Sequence, residues 1–218
     1  MSLWVKICGV TTVEDALLTV AAGADAIGVN LVPTSKRFVD AATARAIRIA
    51  VGDRVELVLV VADRSTRELL ALREETGIDW LQLHGAEPPA ALEALLPAAY
   101  KVVHVASADD VASAAHYSGD RILCDTKVTG VLGGSGQRFD WSLARELSTI
   151  RKLILAGGLR PDNVAEAVRV LAPFGVDTAS GVEGADPRRK DPDKVRAFVR
   201  EARRAGEGQA GGHALDTE

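Results

Sequence analysis

Hydrophobic and polar positions follow one rhythm repeated eight times: a short β-rich apolar run, a turn carrying Gly, Ser, Thr or Asp, then a longer stretch with its apolar residues on one helical face. The short runs predict strands over 3–8, 25–31, 55–61, 78–83, 100–105, 121–125, 152–156 and 175–179. After the first run, Thr11 with Glu14 predicts a capping box, and Ala16, Leu17, Val20 and Ala21 share one side of the helix that follows. Pro161 predicts the opening of the seventh helix, where Val164, Ala167, Val168 and Leu171 repeat at i, i+3, i+4, i+7. The fifth unit is the weakest, because 109–117 has room for only about two turns.

Alternating strands and helices need crossover connections, hence parallel strands, and eight such units favour closure over an open sheet. The pattern therefore predicts an α/β protein, a single-domain (β/α)8 TIM barrel over 1–204. A doubly wound dinucleotide fold loses support: Gly134 and Gly136 are followed by Phe139 where the third glycine of the fingerprint would stand. The segment 205–218 is glycine-rich and aperiodic, and predicts a disordered tail.

Composition narrows the partners. A chain of 218 residues with 47% hydrophobic content can bury one sizeable core, and 26 basic against 30 acidic residues leaves no basic field for nucleic acid. No apolar stretch is long enough for a bilayer, and the first residues lack a signal core, so a cytoplasmic protein with a small-molecule partner is expected. Cys8 and Cys124 have neither CxxC spacing nor a nearby paired histidine, which predicts free thiols and no metal site.

In such a barrel the chemistry gathers where the strands end. Strand one ends in Cys8-Gly9, strand two leads to Ser35-Lys36-Arg37, strand six ends in Asp125, strand seven in Gly157-Gly158, and strand eight in Ser180-Gly181. The paired turns Gly157-Gly158 and Ser180-Gly181 point to a phosphate, which backbone N–H groups without a neighbouring Cβ can approach closely. Arg37 reads as a loop charge or as a carboxylate ligand, and Cys8 as packing or as chemistry. Alternation sends Cys124 to the helix layer and Asp125 into the barrel, where a carboxylate needs a reason to be. Alternation also points Lys6 inward, and closure predicts that it pairs with Asp177 of strand eight. His84 reads as a structural histidine in preference to a catalytic one, and the glycine-rich stretch 130–136 as a plain loop or, in preference, a lid.

Taken together, these residues make the chain similar to the phosphoribosylanthranilate isomerase family. The resemblance rests on Val5-Lys6-Ile7-Cys8-Gly9, Ser35-Lys36-Arg37, Gln82-Leu83-His84-Gly85, Asp125-Thr126-Lys127, Gly157-Gly158-Leu159, and Ser180-Gly181-Val182-Glu183 with Lys190-Asp191. It implies an Amadori rearrangement of N-(5′-phosphoribosyl)anthranilate in tryptophan biosynthesis, without metal or cofactor, by a monomer or homodimer. It further implies that Cys8 is the general base, Asp125 the general acid, Arg37 the holder of the anthranilate carboxylate, and the turns at Gly157, Gly158, Ser180 and Gly181 the phosphate site. A thiolate base needs a positive neighbour, so Lys6 is expected to lower the pKa of Cys8. The rivals are another phosphoribosyl-sugar isomerase, for which paired aspartates are expected, and a sugar-phosphate-binding barrel without turnover. Two departures stand out: Val29 and Leu31 where relatives often carry aromatics, and no Pro-Gly pair before Lys190.

Overall fold

The computed structural model describes residues 2–105, 108–125 and 142–212. Eight parallel strands close in chain order: β1 (Trp4–Cys8), β2 (Ala26–Asn30), β3 (Glu56–Val61), β4 (Trp80–Leu83), β5 (Ala99–His104), β6 (Arg121–Asp125), β7 (Lys152–Ala156) and β8 (Gly175–Thr178). The helices α1 (Val13–Ala21), α2 (Ala41–Val51), α3 (Thr66–Thr76), α4 (Pro89–Glu93), α5 (Ala108–Ala114), α6 (Ser142–Ile150), α7 (Val164–Leu171) and α8 (Pro192–Gly212) each follow a strand. β6 and β7 have the expected bounds, and the other strands differ by one or two residues at an end.

Two cores explain the pattern. Outward residues such as Val5, Ile7, Ile27, Leu59 and Cys124 join the helix faces, among them the predicted stripe Val164, Ala167, Val168 and Leu171. Inside the barrel, side chains stack in layers from floor to mouth. The floor packs Trp4 with Trp80 and Phe174, and the Arg121 guanidinium lies 4.0 Å from the Trp80 ring centre while pairing with Glu56 at 2.7 Å. Gly175 leaves room for Trp4, whose ring a Cβ there would meet at 2.7 Å.

Above the floor the layer is polar. β1 and β8 pair with Lys6 opposite Asp177. The expected ion pair is present at 2.9 Å, with the lysine side chain wholly buried. Gln82 Oε1 accepts hydrogen bonds from Lys6 Nζ at 2.8 Å and from the Tyr100 hydroxyl at 3.0 Å. Cys8 and Asp125 lie one step further up β1 and β6, at the mouth.

Local expectations shift in four places. The cap of α1 is Thr12, whose side chain accepts from Asp15 N, while the Thr11 hydroxyl donates to the Arg188 carbonyl. Pro161 lies in the turn before α7, and Asn163 takes the cap position. α5 has the two turns or so expected of the fifth unit, seven residues, but α4 is shorter still at five, because Pro88-Pro89 opens it and Pro97 stands shortly past its end, after the buried Leu95. Lastly, α8 continues through Gly212, past the tail boundary expected at Arg204. Arg203 ties the helix to the Leu3 carbonyl and to Asp25 at 2.7 Å, Ala205 is buried, and Gly206 passes directly over the Leu3 side chain. Residues 213–218 lie outside the described residues.

Candidate active site

Side chains from β1, β2, β4, β6, β7 and β8 meet in a cavity of about 370 Å³ at the carboxyl ends of the strands. Its lining includes Cys8, Arg37, His84, Asp125, Gly157, Gly158, Asp177 and Ser180. A wider hollow on the opposite face is bounded by Leu3, Lys152 and Phe174 and brings no comparable set of chemical groups together.

Gly28 of β2 makes space for the thiol, since a Cβ there would lie 2.7 Å from Cys8 Sγ and 3.1 Å from Lys6 Nζ. Thiol and ammonium thus crowd the same point. Burial nevertheless pushes the Cys8 thiol above its usual pKa, and the nearby cations Lys6 and Lys190 offset only part of that. The expected net lowering is therefore corrected: in the unliganded site the loss of hydration outweighs Lys6. Lys6 itself stays charged: burial opposes its charge, but Asp177 beside it, together with Cys8 and Tyr100, more than compensates. Asp177 gives Oδ2 to Lys6, and its Oδ1 is buried without a hydrogen-bond partner among the described residues. The outward Cys124 is a plain core thiol, pushed up to about 12 by burial.

Asp125 is largely buried, with His104 Nδ1 at 3.9 Å from Oδ2. His104 meets His84 edge to face, ring centres 5.4 Å apart. Because Gln82 Oε1 is already engaged, its amide nitrogen is the group that faces His84 Nδ1, at 3.4 Å. Burial, with His104 as neighbour, lowers the His84 pKa, so the ring is neutral near pH 7. The residue expected to be structural therefore lines the cavity beside Asp125.

Arg37 crosses over Gly9, whose φ of +69° and missing Cβ leave room for the arginine stem. Its Nε donates to Glu183 Oε1. Glu183 is buried, and burial raises its carboxyl pKa less than Arg37, Lys190 and Lys36 lower it. Lys190 is also buried: burial brings its pKa down to about 8, and its Nζ donates to the Ala179 carbonyl at 3.2 Å. Glu183 and Lys190 carry no role of their own that the sequence pattern announces. Both flank a loop that folds back through the bridge Glu183↔Lys190, and such a fold carries no periodic signal.

Gly157 and Gly158 adopt φ of 100° and 68°, a backbone that favours glycine. They and Ser180 line the cavity. Gly181 lies behind them in a 3₁₀ turn (Ser180–Val182), where its lack of a Cβ lets the two turns touch: a Cβ would meet the Leu159 carbonyl oxygen at 1.9 Å. The stretch 130–136, expected as a lid, falls outside the described residues.

Comparison with known proteins gives a consistent result. The family model described as N-(5′-phosphoribosyl)anthranilate isomerase matches residues 5–201. An N-(5′-phosphoribosyl)anthranilate isomerase of Pseudomonas fluorescens is 43% identical over 204 residues, covering 93% of this chain and 96% of that protein. The crystal structure of phosphoribosyl anthranilate isomerase from Thermotoga maritima superposes with a TM-score of 0.83 at 38% identity, covering 92% of this chain and 98% of that one. A further structure, of such an isomerase in complex with reduced 1-(o-carboxyphenylamino)-1-deoxyribulose 5-phosphate, superposes at 0.81 with 35% identity, covering 92% and 98%.

Proposed function

This chain belongs to the N-(5′-phosphoribosyl)anthranilate isomerase family and is an isomerase of tryptophan biosynthesis, and from that premise we propose that Cys8 is its general base and Asp125 its general acid. The observation that carries the assignment is that these two groups, on β1 and β6, line one cavity from different sides. Protonated Asp125 gives its proton to the ribose ring oxygen as the bond from C1′ to that oxygen breaks, and the anthranilate nitrogen supplies the electrons that form the Schiff base. Cys8, as thiolate, then removes the proton from C2′. The released pair forms the C1′–C2′ double bond of an enolamine and neutralises the nitrogen. Ketonisation moves the hydroxyl proton of C2′ away and adds a proton at C1′. One carbon is oxidised as its neighbour is reduced, so the redox balance closes within the sugar.

Arg37 holds the anthranilate carboxylate in this scheme, and Gly157, Gly158 and Ser180, braced by Gly181, hold the phosphate. The unpartnered Oδ1 of Asp177 accepts a hydrogen bond from a sugar hydroxyl, which relieves the cost of its burial. We assign the chain to the cytoplasm and a monomer or homodimer as its form. Supporting the first is that no helix among the described residues is long and apolar enough to cross a membrane. The test is turnover: Cys8→Ser and Asp125→Asn each lower kcat at least about 100-fold with much smaller changes in KM, read from loss of substrate fluorescence. Near-normal kcat in a folded variant removes that residue from its role.

A further inference from the structure

Arg37 is joined to the rest of the protein in an unusual way for a buried ion pair. An arginine and a carboxylate of the same protein favour two parallel bonds. Here the guanidinium gives Glu183 only its Nε, and neither terminal nitrogen makes a hydrogen bond among the described residues. The glutamate is the fixed partner of the two. Its side chain is 8% exposed, its carbonyl accepts from Lys194 Nζ at 2.8 Å, and its backbone bridges Lys190. Lys36 Nζ at 3.6 Å and Lys190 Nζ at 4.0 Å flank the same carboxylate. Arg37, by contrast, sits on the loop after β2, held by its own N–H to Ser35 Oγ at 3.1 Å and by the stem's passage over Gly9.

We propose that Glu183 is a positioning residue that grips Arg37 by the Nε edge and so presents both terminal nitrogens to the substrate carboxylate. A free arginine side chain carries several rotatable bonds, and ordering it at the moment of binding costs affinity. Glu183 removes that cost beforehand. With one carboxylate among three cations, the cluster also retains net positive charge after pairing, which suits an anionic ligand.

The proposal rests on the reading of Arg37 as the carboxylate holder, and the experiment separates the two. Affinities are measured calorimetrically for the reduced product analogue 1-(o-carboxyphenylamino)-1-deoxyribulose 5-phosphate and for its phenylamino counterpart without the carboxylate. The proteins are wild type, Glu183→Gln, Arg37→Ala and the double variant. Glu183→Gln is expected to weaken the carboxylated analogue about tenfold, the scale of one impaired charge-assisted contact, and to leave the counterpart within about twofold. In the Arg37→Ala background the same change adds nothing. Arg37→Ala without effect on the carboxylated analogue overturns the Arg37 reading and the proposal with it. Arg37→Ala with a large effect, beside a Glu183→Gln that is silent or weakens both ligands equally, overturns the proposal alone. If Glu183→Gln does not fold, Glu183→Asp serves: its charge is kept but drawn back by one methylene, and a smaller loss confined to the carboxylated analogue is expected. Equal binding of both ligands to folded Glu183→Asp and to wild type then counts against the role.

Discussion

Cys8 works against its own surroundings. Burial disfavours the thiolate, and the charges that face it are Lys6 on its own strand, Asp177 from β8 and Lys190 from the loop beyond. Lys190 differs from Lys6 in one respect that a measurement can use: burial has brought its pKa down to about 8, so it loses its charge in the working range. A positive Lys190 favours the thiolate, and a neutral one does not. Lys190→Met is therefore expected to shift the rise of kcat/KM with pH toward higher pH. The gap between wild type and variant is widest below pH 8, where Lys190 is charged, and closes above it. Two pH profiles that run parallel from about pH 6 to about 9.5 would show that Lys190 does not act on Cys8 electrostatically. Some of this neighbourhood was legible beforehand. Lys6 and Asp177 could be paired from strand alternation and closure alone, whereas the net direction of the Cys8 shift depends on how dry the site is, which spacing does not report.

At the level of elements, parallel strands buried on both faces write themselves as short apolar runs, and so β6 and β7 were bounded correctly from the residues. Helix ends were less readable, because either of two adjacent threonines could cap α1 and only packing chose Thr12. The end of α8 is hidden for a related reason: glycines read as breakers, yet Gly206 is the residue that lets the helix lie against Leu3. Truncation after Arg204 accordingly removes buried Ala205 and uncovers Leu3. Loss of about 1 to 2 kcal/mol is expected, a melting temperature lower by roughly 2–8 °C in a chain of this size, with kcat nearly unchanged because the contact lies far from the mouth. An unaltered melting temperature would mean that this last part of α8 adds nothing to the fold. The loop after β8 was the least readable, since Arg37 and Glu183 become neighbours only when the ring closes.

For the whole molecule, the layering divides labour along the barrel axis: an aromatic floor, a charged middle and a reactive mouth. Arg121 anchors the floor through three rings and Glu56 and is not among the residues that line the cavity. Arg121→Ala is expected to cost about 2 kcal/mol or more, from lost stacking and a Glu56 carboxylate left without this partner, while KM and kcat stay within about twofold. A stable variant with impaired turnover would refute the division. The middle layer has a different consequence, one that belongs to time rather than space. Lys6 and Asp177 stand 171 residues apart in the chain. At translation rates of about 5–20 residues per second, the lysine is made roughly 9–34 s before its partner exists. No shorter nascent chain can bury that ammonium in the native way, so the first strand made must wait, hydrated, for the last.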